Sequence, residues 1–181
     1  GQKISKSLGN VVDPIELVGK LGTDALRYYL LAKVHPWEDS DFTLEKYNEA
    51  YNSDLANGLG NLVARVAKLC EKEGFEFTSD VWRFTEEPFE KVRKLLDQFK
   101  FNEAIGIIWG WISDLDKKIE ADKPWVLAPE KLKLRLDDYV NQIRMVATAL
   151  QPFLPQTAEK ILAQFTGPRI KSGEVLFPRI K

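Results

Sequence analysis

The segment from Leu44 to Gly74, LEKYNEAYNSDLANGLGNLVARVAKLCEKEG, contains no proline and repeats its apolar residues at helical spacing. At 100° per residue, Leu55, Leu59, Leu62, Val66 and Leu69 fall within about 80° of one another, a stripe that must face a core. Further helical patterns follow: EEPFEKVRKLLDQF, FNEAIGIIWGWISDLDKKIEA, KLKLRLDDYVNQIRMVATAL and PQTAEKILAQF. Short interruptions separate them, at Gly74 and at Lys123-Pro124-Trp125 for example. Long amphipathic helices joined by short loops predict a mainly α protein built as a helix bundle. The glycine- and proline-punctuated tail GPRIKSGEVLFPRIK is expected to wrap back over the surface.

The stretch before Leu44 reads differently. GQKISKSLGNVVDP is polar, holds two glycines and ends in proline, so it is a loop. A compact domain rarely opens on such a loop, and an upstream part is expected to be missing. Two short helices follow, IELVGKLG and TDALRYYLLAKV. Pro14 suits a first turn, Gly22 a helix end, and Thr23 or Asp24 the cap of the second helix. VHPWEDSDFT breaks the helical run, and its last residues are expected to form a short strand. A boundary near residue 44 therefore divides a small mixed segment, 1–43, from the bundle, 44–181.

Composition removes several kinds of chemistry. One cysteine, Cys70, and one histidine, His35, build neither a disulfide framework nor a His/Cys zinc site, and no metal is expected. His35, in VHPWED, reads as a turn residue ahead of Pro36 rather than as a catalytic base. No stretch approaches the roughly 20 apolar residues that cross a bilayer, so no membrane partner is expected, and a single cysteine fits a reducing cytoplasm, the expected location. A formal net charge of −1 means that any attraction to nucleic acid must be local.

Three features carry local chemistry. On the long helix, Asn57, Asn61, Arg65, Lys68 and Lys72 form a second stripe, about 80° wide and roughly opposite the apolar one. Amides and a guanidinium stacked one turn apart can address the edge of an unpaired base, although a solvated helix face has the same pattern. Gly58 and Gly60 cost that helix roughly 1 kcal/mol each against alanine, and they permit close approach by another backbone. Trp125, after Pro124 at a helix-to-loop junction, can stack an unstacked base or close the core. Trp109 and Trp111, inside an apolar run, read as packing residues. In the opening loop, Lys3 and Lys6 stand three apart among serines and a glycine, a pattern that suits phosphate groups and equally a flexible basic terminus.

KISKSLGN, continuing into VVDPIELVGKLGTDALRYYLL, resembles the KMSKS loop and following helices of the class I aminoacyl-tRNA synthetases, with Ile4 in place of the usual Met. NSDLANGLGNLVARV, KPWVLA, PFLPQTAEKI and LFPRIK are similar, in order, to the methionyl-tRNA synthetase family. The resemblance implies an anticodon-binding α-helix bundle preceded by a small mixed stem-contact segment. It implies that Asn57, Asn61, Arg65, Pro124 and Trp125 recognise the CAU anticodon of methionine tRNA. It also implies that Lys3 and Lys6 belong to the KMSKS loop, Lys6 stabilising the adenylation transition state. ATP with Mg is the implied cofactor of the full enzyme, a ligase that activates methionine and attaches it to tRNA.

The family's HIGH motif and nucleotide-binding sheet have no counterpart in the 181 residues. The chain alone is therefore expected to be inactive and to need a catalytic half, on the same chain or in a separate subunit. Two alternatives remain at this point: the equivalent part of a valyl or leucyl enzyme, and a non-catalytic helical subunit that assembles a split synthetase.

Overall fold

In the computed structural model, residues 12–35, 37, 40–76 and 86–180 are described. Helix α1, Pro14–Leu21, begins at Asp13, whose carboxylate accepts from the Ile15 amide at 2.8 Å while Pro14 fills the first turn. Gly22 ends it with a φ of 87°, a conformation that costs glycine little. Helix α2, Thr23–Ala32, follows without a side-chain cap, contrary to the expectation for Thr23 or Asp24. Asp24 is buried, and its carboxylate accepts instead from the Thr157 amide, at 2.6 Å.

The short strand expected before residue 44 is absent among the described residues. Residues 40–43 form no strand, and Phe42 turns into an aromatic cluster, 5.2 Å from the Tyr29 ring and 6.0 Å from that of Tyr47. The small segment is thus helical rather than mixed among the described residues. Thr43 then caps the next helix, accepting from the Lys46 amide at 3.1 Å.

The long helix forms, in three parts: α3, Leu44–Ala50; a π-helical stretch, Tyr51–Gly60; and α4, Asn61–Lys72. Leu55, Leu59, Leu62 and Val66 are buried as expected, and Leu69 partly so. Gly74, at a φ of 59°, turns the chain away. Helix α5, Glu87–Asp97, and α6, Phe101–Asp122, form a hairpin in which Phe89 meets Trp111 edge-on, ring centres 6.3 Å apart. Helices α7, Pro129–Leu150, and α8, Pro155–Gln164, complete the bundle, each opened by a proline in its first turn.

Helix α6 lies at the centre, packed on α2, α5, α7 and the π stretch. Its Ala104, Ile108, Ile112, Leu115 and Ile119 recur every three or four residues and are all buried. A single hydrophobic cluster includes these together with Leu17, Tyr28 and Tyr29 from the first two helices. Trp109 packs as expected, its ring 4.5 Å from that of Tyr28.

Polar bonds lock α2 to the far end of the bundle. Arg27 donates through Nε to the Phe153 carbonyl at 2.7 Å and through Nη2 to that of Pro152 at 2.8 Å, in the turn between α7 and α8. One turn away, Asp24 supplies an acceptor to the first turn of α8, which has no cap of its own. The tail wraps back as expected: Asn52 exchanges hydrogen bonds of 2.9 and 3.0 Å with the backbone of Ile180, and Phe177 is buried against Tyr51.

Candidate nucleic-acid interface

The residues singled out on the long helix meet the end of α6. Arg65 is the hinge of the arrangement. Its Nη1 donates to Asp116 at 3.0 Å and its Nη2 to Glu120 at 2.6 Å, so two carboxylates one turn apart on α6 grip one guanidinium. The Arg65 side chain keeps only 23% of its exposure, whereas Asp116 and Glu120 keep 49% and 61%. Arg65 is therefore not simply part of a solvated face. It is fixed in direction, with its charge offset by neighbours that stay open to solvent.

Asn57 and Asn61 are exposed, and neither side chain makes a hydrogen bond within the described residues. Their amides are free to donate and to accept. Lys68 and Lys72 continue the exposed side of α4. The close backbone approach expected at the glycines exists, but it comes from the same helix: a Cβ on Gly60 would stand 3.0 Å from the Leu55 carbonyl oxygen.

Just past Glu120 the chain breaks sharply. Asp122 ends α6 and accepts from the Tyr139 hydroxyl at 2.7 Å, with Arg135 Nε 3.4 Å away. Burial and the neighbouring Asp122 carboxylate push the Tyr139 phenol upward, so it stays a donor. Lys123 takes a left-handed φ of 47°, a conformation in which many helices end, and Pro124 follows because it cannot continue the helix. Pro124, Trp125 and Val126 then form one 3₁₀ turn. Pro124 is buried and anchors the turn, while Trp125 is left 53% exposed and Val126 71%. Trp125 is thus a surface residue and not a closing core residue.

Glu120 holds Arg65 two residues before the end of α6, and Trp125 follows that end by three residues. Guanidinium and indole therefore share one end of α6, with Asn61 one turn before Arg65 on α4. A planar platform, a fixed donor and free amides on an open surface suit an unpaired base better than a small metabolite. A hollow of about 340 Å³, lined by Glu73, Phe75, Pro129, Leu132 and Leu136 among others, contains none of these residues.

Other chemistry is weak. His35 is exposed, its Nδ1 3.2 Å from the Asn102 amide. Cys70 is buried, and desolvation pushes its thiol up to about 12, which leaves it inert as a nucleophile. Among the described residues no three His, Cys, Asp or Glu side chains gather as metal ligands, and no helix is long and apolar enough to cross a membrane. Lys3 and Lys6 lie outside the described residues.

Sequence reasoning did not find the grip of Asp116 and Glu120 on Arg65. Its only trace was the spacing of two acids four apart, just ahead of Pro124-Trp125. The clamp of Asp24 and Arg27 left no comparable signal.

Two protein-family descriptions divide the chain between them. Class I tRNA synthetases (M) match residues 1–67, and the anticodon-binding domain of tRNA ligase matches residues 80–177. The methionine–tRNA ligase of Clostridium acetobutylicum is 38% identical in an alignment covering 99% of this chain, and that of Bacillus subtilis is 34% identical, again over 99%. The chain spans about a third of the length of these relatives, 33% and 32%. Methionyl-tRNA synthetase of Mycobacterium tuberculosis in complex with methionyl-adenylate has the same fold, with a TM-score of 0.87 and 28% identity over 99% of this chain and 42% of that one. Its apo form gives 0.82 and 26%, over 94% and 41%.

Proposed function

The chain belongs to the anticodon-binding domain family of tRNA ligases, with methionyl-tRNA synthetases as its relatives, and from that premise we infer that it recognises the CAU anticodon of methionine tRNA. The observation that carries this is the exposure of Trp125 on its buried Pro124 anchor, at the same end of α6 as the clamped Arg65. In this reading Trp125 stacks on an unstacked base, and Arg65 with Asn61 and Asn57 addresses its edge. Asp116 and Glu120 hold the guanidinium still, so that less side-chain freedom is lost on binding.

The activity belongs to the longer protein. There, methionine and ATP form an adenylate, and the aminoacyl group passes to tRNA. Lys3 and Lys6, in the KISKS run, are assigned to the charge that develops on the triphosphate with its Mg. Residues 1–43 are read as that loop together with the stem-contact segment that leads to the bundle. The 181 residues without a nucleotide-binding fold are assigned recognition only, and the cytoplasm is the proposed setting.

A valyl or leucyl reading is disfavoured by the relatives, which are methionine enzymes along nearly the whole chain. Direct competition between methionine and valine tRNA for this chain, at one fixed salt concentration, tests the assignment. Preference for methionine tRNA is expected. Equal competition would contradict it and favour a protein-binding subunit of a split synthetase.

A further inference from the structure

The π-helical stretch Tyr51–Gly60 is pinned on both sides. In its first half, Asp54 accepts from the Tyr28 hydroxyl at 2.8 Å and pairs with Lys33 Nζ at 2.8 Å, while Asn52 holds the Ile180 backbone. Beyond it, Arg65 is tied to Asp116 and Glu120. A π-helix bonds each residue to the fifth along, so it carries more chain per turn than an α-helix. Rewinding one such turn to α would remove a residue from the count and rotate what lies upstream by about 100° relative to α4. Asn57 lies inside the stretch, and Asn61 is the first residue of α4. The π geometry therefore sets where the Asn57 amide stands relative to Asn61 and Arg65.

Gly60 is the glycine that stands closest to the backbone of this stretch. A Cβ there would be 3.0 Å from the Leu55 carbonyl oxygen, five residues back, and a backbone oxygen cannot swing aside as a side chain does. The same construction at Gly58 gives 3.5 Å to the Ser53 oxygen, an ordinary contact. One glycine stands tight against the backbone and the other has ordinary clearance.

We propose that Gly60 is a positioning residue for base recognition, keeping the π turn that sets the offset between Asn57 and the Asn61–Arg65 pair. This rests on the anticodon reading above. An alanine at 60 obliges the Leu55 carbonyl to give by a few tenths of an ångström, which shifts the π turn. That shift displaces Asn57 and Asn61 relative to each other, while Arg65 stays held by α6.

The test uses the whole chain and two RNAs, a methionine anticodon stem-loop and the same loop with its cytosine replaced. The quantity read is the ratio of the two affinities, in which a reduced folded fraction cancels. Gly60→Ala is expected to lower that ratio about tenfold, the scale of one lost base-edge contact, and Asn61→Ala to lower it likewise. Gly58→Ala should leave it unchanged. An unchanged ratio for Gly60→Ala, with Asn61→Ala still sensitive, overturns the positioning role alone. Unchanged ratios for both overturn the anticodon reading and the role with it. Should Gly60→Ala not fold, the double variant Asn57→Ala, Gly58→Asn moves the amide by one position without touching Gly60. A ratio as low as that of Asn57→Ala alone supports the offset, and a full ratio overturns it.

Discussion

Trp125 is left exposed beside a buried anchor. The buried Pro124 holds the turn, so the indole beside it has little core to support. Trp125→Ala should weaken binding to the methionine anticodon stem-loop by about 1–3 kcal/mol through lost stacking. Its thermal midpoint should stay at that of the parent chain, and a fall of many degrees would make Trp125 a packing residue. Arg65 follows the opposite design, since its direction comes from Asp116 and Glu120 on another helix. Those carboxylates are half exposed, so the contacts add little to stability and act mainly on geometry.

At the scale of elements, the clamp from α2 matters most. Asp24 is buried, and its bond to the Thr157 amide substitutes for the missing cap of α8. Asp24→Ala should cost about 1–3 kcal/mol, the value of a charge-assisted hydrogen bond whose donor is left buried. The shift of the urea midpoint measures it, and a change within error would show that water replaces the carboxylate. Proline and glycine made most element boundaries legible in the sequence: Pro14, Gly22, Gly74 and Pro155 each stand where a helix starts or stops. Tertiary partners decided what local pattern could not. Asp24 looked like a cap for its own helix and caps another, and Phe42 looked like part of a strand and is held by Tyr29 and Tyr47. The π stretch was invisible because an angular count assumes one repeat throughout. At the candidate interface, residue types were readable on the surface of one helix, whereas the grip on Arg65 needed two.

For the whole molecule, one core joins the first two helices to the bundle, and its buried ionisable groups give it a pH signature. Burial pushes the Cys70 thiol from about 9 up to about 12 and the Tyr47 phenol from about 10 up to about 12, and raises Tyr28 and Tyr139 as well. Each group is neutral in the folded chain at a pH where the unfolded chain ionises it. Their contribution to stability is therefore complete below about pH 9 and falls as the pH rises from there toward 12. Denaturant midpoints at pH 8, 10 and 11 should decline in that order, and a flat series would show that these groups meet water in the native state.

This bundle is expected to read a specific anticodon by itself. Binding of the chain to a methionine anticodon stem-loop, against the same loop with a single change at the cytosine, tests it most directly. Tighter binding of the unchanged loop is the expected result, with the preference lost in Asn61→Ala and Trp125→Ala. Equal binding of the two loops, by a chain shown to be folded, would contradict it.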